Sequence, residues 1–344
     1  MGHPSRKNSK PRQTVTIAEV AQAAGVSVPT VSKVLNGRPG VSAATRRQVE
    51  QMLDEQGYEK RRTHPGSGSG LVDLVLYALD TQWATTLLRG AQAEVARRGL
   101  DLVVTTTSTP SSGRTWLDHL SRRGSEGVIL VAAQVHDVAE RELSRLHMPV
   151  VLLDPIGAAL PSLPTVAGAN WAGARDATDH LIGLGHRRIA FITGPLRDES
   201  HRDRLDGYRT ALQRHGLQAD PALVRHGDSL VSGGIEHGTA LLSLPDRPTA
   251  IVSGSDEQAY GVYLAAAELG LSVPRDVSVV GFDDVDLCQW VTPALTTVRQ
   301  PLVEMGREAA RIVIEMSRSD LRPAPRTELA TSLVVRRSTG APPA

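Results

Sequence analysis

The sequence predicts an all-α head followed by a longer α/β body in two lobes, and three observations carry that expectation. The first sixty or so residues hold three short amphipathic helical patterns separated by glycines. From Leu71 onward, short apolar runs alternate with amphipathic stretches, the pattern of repeated βα units. Charge divides at the same place: residues 1–64 carry eleven Lys and Arg against five Asp and Glu, a net of +6, and residues 65–344 carry twenty-seven against thirty-two, a net of −5. A basic head on an acidic body points to a head that meets a polyanion.

Composition narrows the class. Hydrophobic residues at 40% and charged residues at 22% describe a globular chain rather than a disordered one, and 344 residues suffice for two or three folding units. The single cysteine, Cys288, excludes an internal disulfide. The stretch Met1 to Lys10 lacks the apolar core of a secretion signal, and no apolar run is long enough to span a bilayer, so a cytoplasmic location without a membrane partner is expected.

In the head, residues 1–13 read as a basic flexible tail. Thr16-Ile-Ala-Glu19 is a capping box that starts a helix, and Ile17, Val20, Ala21 and Ala24 form its apolar stripe. Gly25 ends it tightly. Ser27 caps a second helix with Pro29 in its first turn, where a missing N–H costs little. Val31, Val34 and Leu35 face the first helix, which turns Val28, Pro29, Thr30, Ser32 and Lys33 outward. Asn36-Gly37 stops it. A third helix opens at Ser42, carries Val49, Met52 and Leu53, and closes at Gly57-Tyr58. Three such helices with a glycine turn between the first two make a helix-turn-helix over residues 14–60, whose second helix suits the DNA major groove.

The run Thr16-Ile-Ala-Glu-Val-Ala, then Ala24-Gly-Val-Ser-Val-Pro-Thr-Val-Ser-Lys-Val-Leu-Asn36, Val41-Ser-Ala-Ala-Thr-Arg46 and Gly57-Tyr58 resembles the DNA-binding domain of the LacI/GalR family of bacterial regulators, without a gap. The resemblance implies that Val28, Pro29 and Lys33 read bases. It places Thr16, Ser27, Thr30, Ser32, Asn36, Ser42, Thr45 and Arg46 where the family grips phosphate. After the tyrosine, the family's usual proline and hinge helix give way to Glu59-Lys-Arg-Arg-Thr-His-Pro-Gly-Ser-Gly-Ser-Gly70. Residues 61–70 read as a Gly/Ser-rich linker. Lys60, Arg61 and Arg62 read either as a basic arm on phosphate or in the minor groove, or as a solvated stretch of that linker.

In the body, Leu71–Leu79, Leu100–Val104, Val128–Val131, Val150–Leu153, Ile189–Thr193, Ala250–Ser253 and Val277–Val280 read as buried parallel strands. Helical stretches such as Thr85–Arg98, Ala172–Leu184, Arg204–His215 and Gln258–Leu269 separate them. Two sets of βα units mean two lobes, with a ligand crevice at the carboxyl ends of the strands. The pieces Leu184-Gly-His-Arg-Arg-Ile-Ala-Phe-Ile-Thr-Gly194, Arg204-Leu-Asp-Gly-Tyr208, Val273 to Asp284 and Pro293 to Pro301 resemble the type I periplasmic-binding-protein fold that serves the same family as its sensor. Residues 71–338 are expected to form this effector-binding and dimerisation domain, and residues 339–344 a flexible tail.

Family ligand positions fall on Asp80, Trp83, Asp198, Ser200, Arg204, Ser229, Ser255, Asp256 and Asp283, with Trp290 as a second indole for the cleft. Carboxylates and a guanidinium suit hydroxyls, and an indole face suits a sugar ring, so the resemblance implies a carbohydrate effector, with a purine as the alternative. His201-Arg-Asp203 matches part of a kinase catalytic loop, but Tyr208 stands where that loop needs its metal-binding Asn. Asp283, Asp284 and Asp286 lack a calcium-loop spacing, and no nucleophile-elbow or zinc pattern occurs. The expectation is therefore no enzyme, no cofactor and no metal. It is instead a homodimeric, sequence-specific transcription regulator on a palindromic operator, a repressor of a carbohydrate operon released by a sugar. The alternatives are a corepressor-dependent regulator, and a sugar-binding protein without DNA function.

Overall fold

The computed structural model describes residues 15–35, 40–56, 69–76, 79–106, 120, 122–132, 148–157, 162–319 and 326–343. In the head, α1 is Ile17–Ala23, α2 Val28–Leu35 and α3 Ala43–Glu55. Each helix starts at a hydroxyl. The capping box at Thr16 closes both ways: Thr16 N–H donates to Glu19 Oε2 at 2.6 Å, and Glu19 N–H donates to Thr16 Oγ1 at 3.4 Å. Thr30 N–H donates to Ser27 Oγ at 3.3 Å and Thr45 N–H to Ser42 Oγ at 3.1 Å, and each serine hydroxyl also lies 2.8 Å from the threonine hydroxyl.

Val20, Ala21, Ala24, Val31, Val34 and Val49 form the small core, one stripe from each helix. Gly25 takes φ +60, the left-handed turn between α1 and α2 that a side chain would strain. Gln48 of α3 donates to Ala24 O at 3.2 Å, so the third helix satisfies a carbonyl that the end of the first leaves open.

The body is built from β1 (Leu71–Leu76), α4 (Gln82–Arg97), β2 (Asp101–Thr106), β3 (Gly127–Val131), β4 (Val150–Leu153) and β5 (Thr165–Gly168), followed by α5 (Asn170–Gly183), β6 (Ile189–Thr193), α6 (Glu199–Arg214), β7 (Val224–His226) and α7 (Val231–Leu242). Then come β8 (Ala250–Ser253), α8 (Asp256–Glu268), β9 (Ser278–Asp283), α9 (Leu287–Trp290), β10 (Thr296–Arg299), α10 (Leu302–Arg318), β11 (Arg326–Leu329) and β12 (Ser332–Val334). Among the described residues there are two six-stranded sheets, ordered β11-β5-β4-β3-β1-β2 and β12-β10-β9-β8-β6-β7. Every pair is parallel except β10 with β12.

The apolar runs anticipate the central strands. The short strands β5, β7, β10, β11 and β12 were not anticipated, because sequences such as Thr165-Val-Ala-Gly168 and Arg326-Thr-Glu-Leu329 contain no apolar run. The first strand is described over Leu71–Leu76, and Leu79 lies in a bend; residues 77 and 78 of the expected strand lie outside the described residues.

The chain passes between the lobes at 168–170, 299–302 and 329–332, and these crossings touch. Ala169 N–H donates to Leu329 O at 2.9 Å, and Thr331 Oγ1 donates to Ala169 O at 3.2 Å. Gln300 packs so closely on Gly168 that a Cβ there would lie 2.3 Å from its Oε1. One bundle of crossings is where two rigid sheets can pivot.

The helix pairs that cover the sheets meet at glycines. A Cβ on Gly90 would lie 2.0 Å from Val303 O and one on Gly306 2.1 Å from Leu87 O, which sets the approach of α4 and α10. Gly207 does the same for α6 against Trp171 O of α5, at 2.2 Å. The expected flexible tail from residue 339 is corrected by the fold: Thr339 Oγ1 lies 3.0 Å from His180 Nε2, and Gly340 N–H donates to Ser278 Oγ at 3.1 Å while its carbonyl meets His186 Nε2 at 2.9 Å. Among the described residues no helix is long and apolar enough to cross a membrane.

Candidate DNA-reading surface and ligand cleft

In α2, burial of Val31 and Val34 against the other two helices fixes which side faces outward. Val28 is 41% exposed, and Pro29 and Lys33 are exposed beside it, the arrangement expected of residues that enter a groove. Thr30 and Ser32 are only partly exposed, and Thr30 is tied to Ser27.

Thr16, Ser27 and Ser42 are exposed hydroxyls at the N-termini of three helices, where backbone N–H groups and the helix dipole favour phosphate. Thr45 and Arg46 lie half-buried in the first turn of α3. Asn36, Lys60, Arg61 and Arg62 lie outside the described residues. With Lys33 on this face, Lys33→Ala is expected to relax sequence preference at one operator position by about 1–3 kcal/mol, read as converging affinities for the best site and its single-base variants.

In the body, the polar residues gather at the carboxyl ends of the parallel strands, as the fold requires. Asp154 follows β4, Asn170 follows β5, Ser200 and Arg204 lie in the first turns of α6 after β6, Ser229 follows β7, Ser255 follows β8, and Asp283 ends β9. Arg204 is the centre. It is 3% exposed, with its guanidinium stacked 3.8 Å over the Phe282 ring. Its Nε donates to Asn170 Oδ1 at 2.8 Å, its Nη1 donates to Gly254 O, and its Nη2 lies 3.7 Å from Asp283 Oδ1, too long for a direct hydrogen bond. A guanidinium has five N–H donors, so these partners leave some of them for a ligand.

Asp283 takes φ +120 and accepts from Gln300 Nε2 at 2.7 Å, which ties the site to the interlobe crossing. Burial pushes the Asp154 carboxyl up to about 6 and that of Asp283 above the carboxylate range, and in both Arg204 opposes the shift. Burial likewise raises Asp198, against the pull of Arg197.

Several expected ligand residues have other work. Asp256 is buried, and its two oxygens accept from Val285 N–H at 3.0 Å and from the Thr297 hydroxyl, so it braces the loop after β9. Ser255 caps α8 by accepting from Gln258 N–H at 3.1 Å, and donates to Ser229 O at 2.8 Å. Trp290, on α9, is 69% exposed and lies outside the buried cluster around Arg204. Trp83 packs half-buried on the core of the first lobe, and Asp80 is exposed just ahead of α4.

Sequence reasoning missed Asp154, Asn170, His201 and Gln300. For Asp154 the signal was present, a carboxylate directly after the apolar run Val150–Leu153. The other three are identified only by what they touch.

The lobes also meet on either side of the cleft. Gln82, at the start of α4, accepts Leu287 N–H on its Oε1 at 3.0 Å, and its own N–H donates to Glu257 at 3.4 Å. Arg326 of β11 donates to Glu199 of α6 at 2.8 Å, and Gly157 N–H donates to Arg197 O at 3.1 Å. Contacts of this kind hold one relative position of the lobes and are lost in another.

A helix-turn-helix with an exposed reading face, joined in one chain to a two-lobed body with a polar cleft, defines a regulator that couples a small molecule to DNA. Residues 16–60 match the family model of bacterial regulatory proteins of the lacI family, and residues 178–339 match that of a periplasmic binding protein-like domain. The chain is 36% identical to the HTH-type transcriptional regulator MalR of Streptomyces coelicolor, over 96% of this chain and 98% of the relative. It is 33% identical to the ribose operon repressor of Escherichia coli, over 87% and 92%. Among solved structures it is similar to the transcriptional regulator CelR in complex with cellobiose, with TM-score 0.74 and 32% identity, covering 94% of this chain and 99% of that one. It is also similar to the lac repressor dimer bound to operator, with TM-score 0.71 and 29% identity over 96% and 100%. The chain belongs to the LacI family of bacterial regulatory proteins and is a DNA-binding transcription regulator, not an enzyme.

Proposed function

We propose that this regulator is a cytoplasmic homodimeric repressor of a carbohydrate-utilisation operon, released from a palindromic operator when a sugar occupies the cleft. The observation that carries the ligand half is the Arg204 cluster. One stacked guanidinium with donors to spare lies beside the carboxylates of Asp154 and Asp283, a set that donates to and accepts from hydroxyls. The ribose operon repressor and the CelR complex with cellobiose, both similar to this chain, support the same class.

Residues 14–60 serve as the reading domain, 61–70 as a tether and 71–338 as the sensing and dimerisation domain, with Lys60, Arg61 and Arg62 adding sequence-independent phosphate contacts. A sugar that favours one lobe arrangement shifts the heads by its differential affinity, and a few kcal/mol suffice to change operator occupancy strongly.

Thermal-shift screening of the intact chain tests the ligand. A monosaccharide or disaccharide is expected to raise the melting temperature in proportion to the logarithm of its concentration. A shift with purines and with no sugar would overturn the carbohydrate assignment.

A further inference from the structure

Ser229 is held on three sides. Its backbone takes φ +69, its carbonyl accepts the Ser255 hydroxyl at 2.8 Å, and its own hydroxyl lies 2.9 Å from His201 Nε2. Gly194 packs over this pair so closely that a Cβ there would lie 2.2 Å from Ser229 Oγ and 2.3 Å from His201 Nε2. The imidazole is only 8% exposed, and its Nδ1 has no hydrogen-bond partner among the described residues. Burial, assisted by Arg204, keeps the ring neutral by lowering its pKa to about 3.

A neutral imidazole carries one N–H, so two tautomers compete. With the proton on Nδ1, a donor is buried with nothing to accept it. With the proton on Nε2, the donor meets Ser229 Oγ and the vacancy is a bare lone pair. Orphaned buried donors are the rarer and costlier defect, so the second tautomer is favoured.

We infer that His201 is a positioning residue of the cleft: as its Nε2–H tautomer it donates to Ser229 Oγ and so directs the Ser229 hydroxyl proton outward, to an acceptor oxygen of the ligand. The inference rests on reading the cleft as a sugar site. It deepens that reading by giving Ser229 one role. The Asp154 carboxylate, ionised above about pH 6, only accepts and so suits a sugar hydroxyl, whereas a ring or glycosidic oxygen has no proton to give and needs a donor such as Ser229.

Two measurements on the full-length protein decide it. The first is the ring-nitrogen NMR spectrum of ¹⁵N-histidine-labelled protein, with His201 identified by the signal lost in His201→Gln. An Nε2–H tautomer that does not titrate between about pH 5.5 and 8 is expected. An Nδ1–H tautomer, or an imidazolium in that range, overturns the inference.

The second uses cellobiose, maltose and ribose as probes, taking whichever raises the wild-type melting temperature. His201→Phe, which fills the space without a donor, is expected to lose about tenfold in affinity, and His201→Gln, whose amide can donate to Ser229, to stay within about threefold. Ser229→Ala is expected to lose as much as His201→Phe, and the double variant little more, because both remove one hydrogen bond. Equal affinity of His201→Phe and wild type overturns the inference. Should none of the three sugars bind, the sugar reading fails, and the tautomer measurement still decides the state of His201.

Discussion

Replacing Arg204 with Ala is expected to abolish release of the operator by effector while leaving the head able to bind DNA. The guanidinium sits between Asn170, Gly254 O and Asp283 and lies over the Phe282 ring, so its removal strips partners from three buried polar groups at once. Leaving buried polar groups without a partner costs about 1–3 kcal/mol for each. Asp283, already pushed above the carboxylate range by burial, adds no uncompensated charge to that cost while it holds a proton.

The expected result is a sensor domain with a lower melting temperature and at least a hundredfold weaker response to the sugar that stabilises the wild type. Arg204→Met separates the two effects. The stem still packs on Phe282, so stability recovers in part, but the donors are gone and the response does not return. Operator affinity without sugar, measured with its salt slope, should stay close to wild type in both variants. A full sugar response in Arg204→Met would remove Arg204 from the site.

The second large effect is mechanical. Gly261→Leu is expected to destabilise the second lobe by about 3 kcal/mol or more, measured by denaturant unfolding, because a Cβ there would lie 2.3 Å from Val231 O and 2.7 Å from Gly234 Cα. Both obstacles are backbone, so no side chain can swing away. The helices α7 and α8 must separate, and Ala259, Val262 and Ala266 lose their packing against Ala190, Ile192 and Ile251. Gly261→Ala already places the offending atom and should cost more than half as much. Gly183→Ala is the control: nothing lies within 4 Å of its would-be Cβ at the end of α5, and the substitution should be neutral or slightly stabilising.

The head was legible almost to the residue because what defines it is local. Each cap joins residues three apart, Thr16 with Glu19, Ser27 with Thr30 and Ser42 with Thr45, and the buried valines repeat at helical spacing. The body was legible where strands are buried on both faces, since Val128–Val131 or Ala250–Ser253 need no context to read as strand. It was not legible where pairing alone makes the strand. Arg326–Leu329 becomes β11 because Thr165–Gly168 offers it an edge, and the pairing of Arg326 with Thr165 links distant parts of the chain.

The cleft divides in the same way. Arg204 and Asp283 could be placed from strand ends and family resemblance. Asp256 shows the limit of that reasoning, since a carboxylate at a strand end is indistinguishable in sequence whether it faces a ligand or braces Val285 and Thr297. Trp290 was assigned by residue type alone, which carries no information on its 69% exposure. His201 stood out in the sequence only as part of His201-Arg-Asp203, and its place beside Ser229 is a matter of distance that no local pattern carries.

The central claim is that a sugar in the cleft controls sequence-selective binding by the head. It is tested most directly by titrating the intact protein onto a genomic fragment selected for binding, at several salt concentrations, with and without the sugar that raises its melting temperature. The account predicts sequence-selective binding whose logarithm falls linearly with the logarithm of salt, and a loss of operator affinity of tenfold or more when that sugar is added. Binding that ignores sequence, or selective binding that the stabilising sugar leaves unchanged, would contradict it.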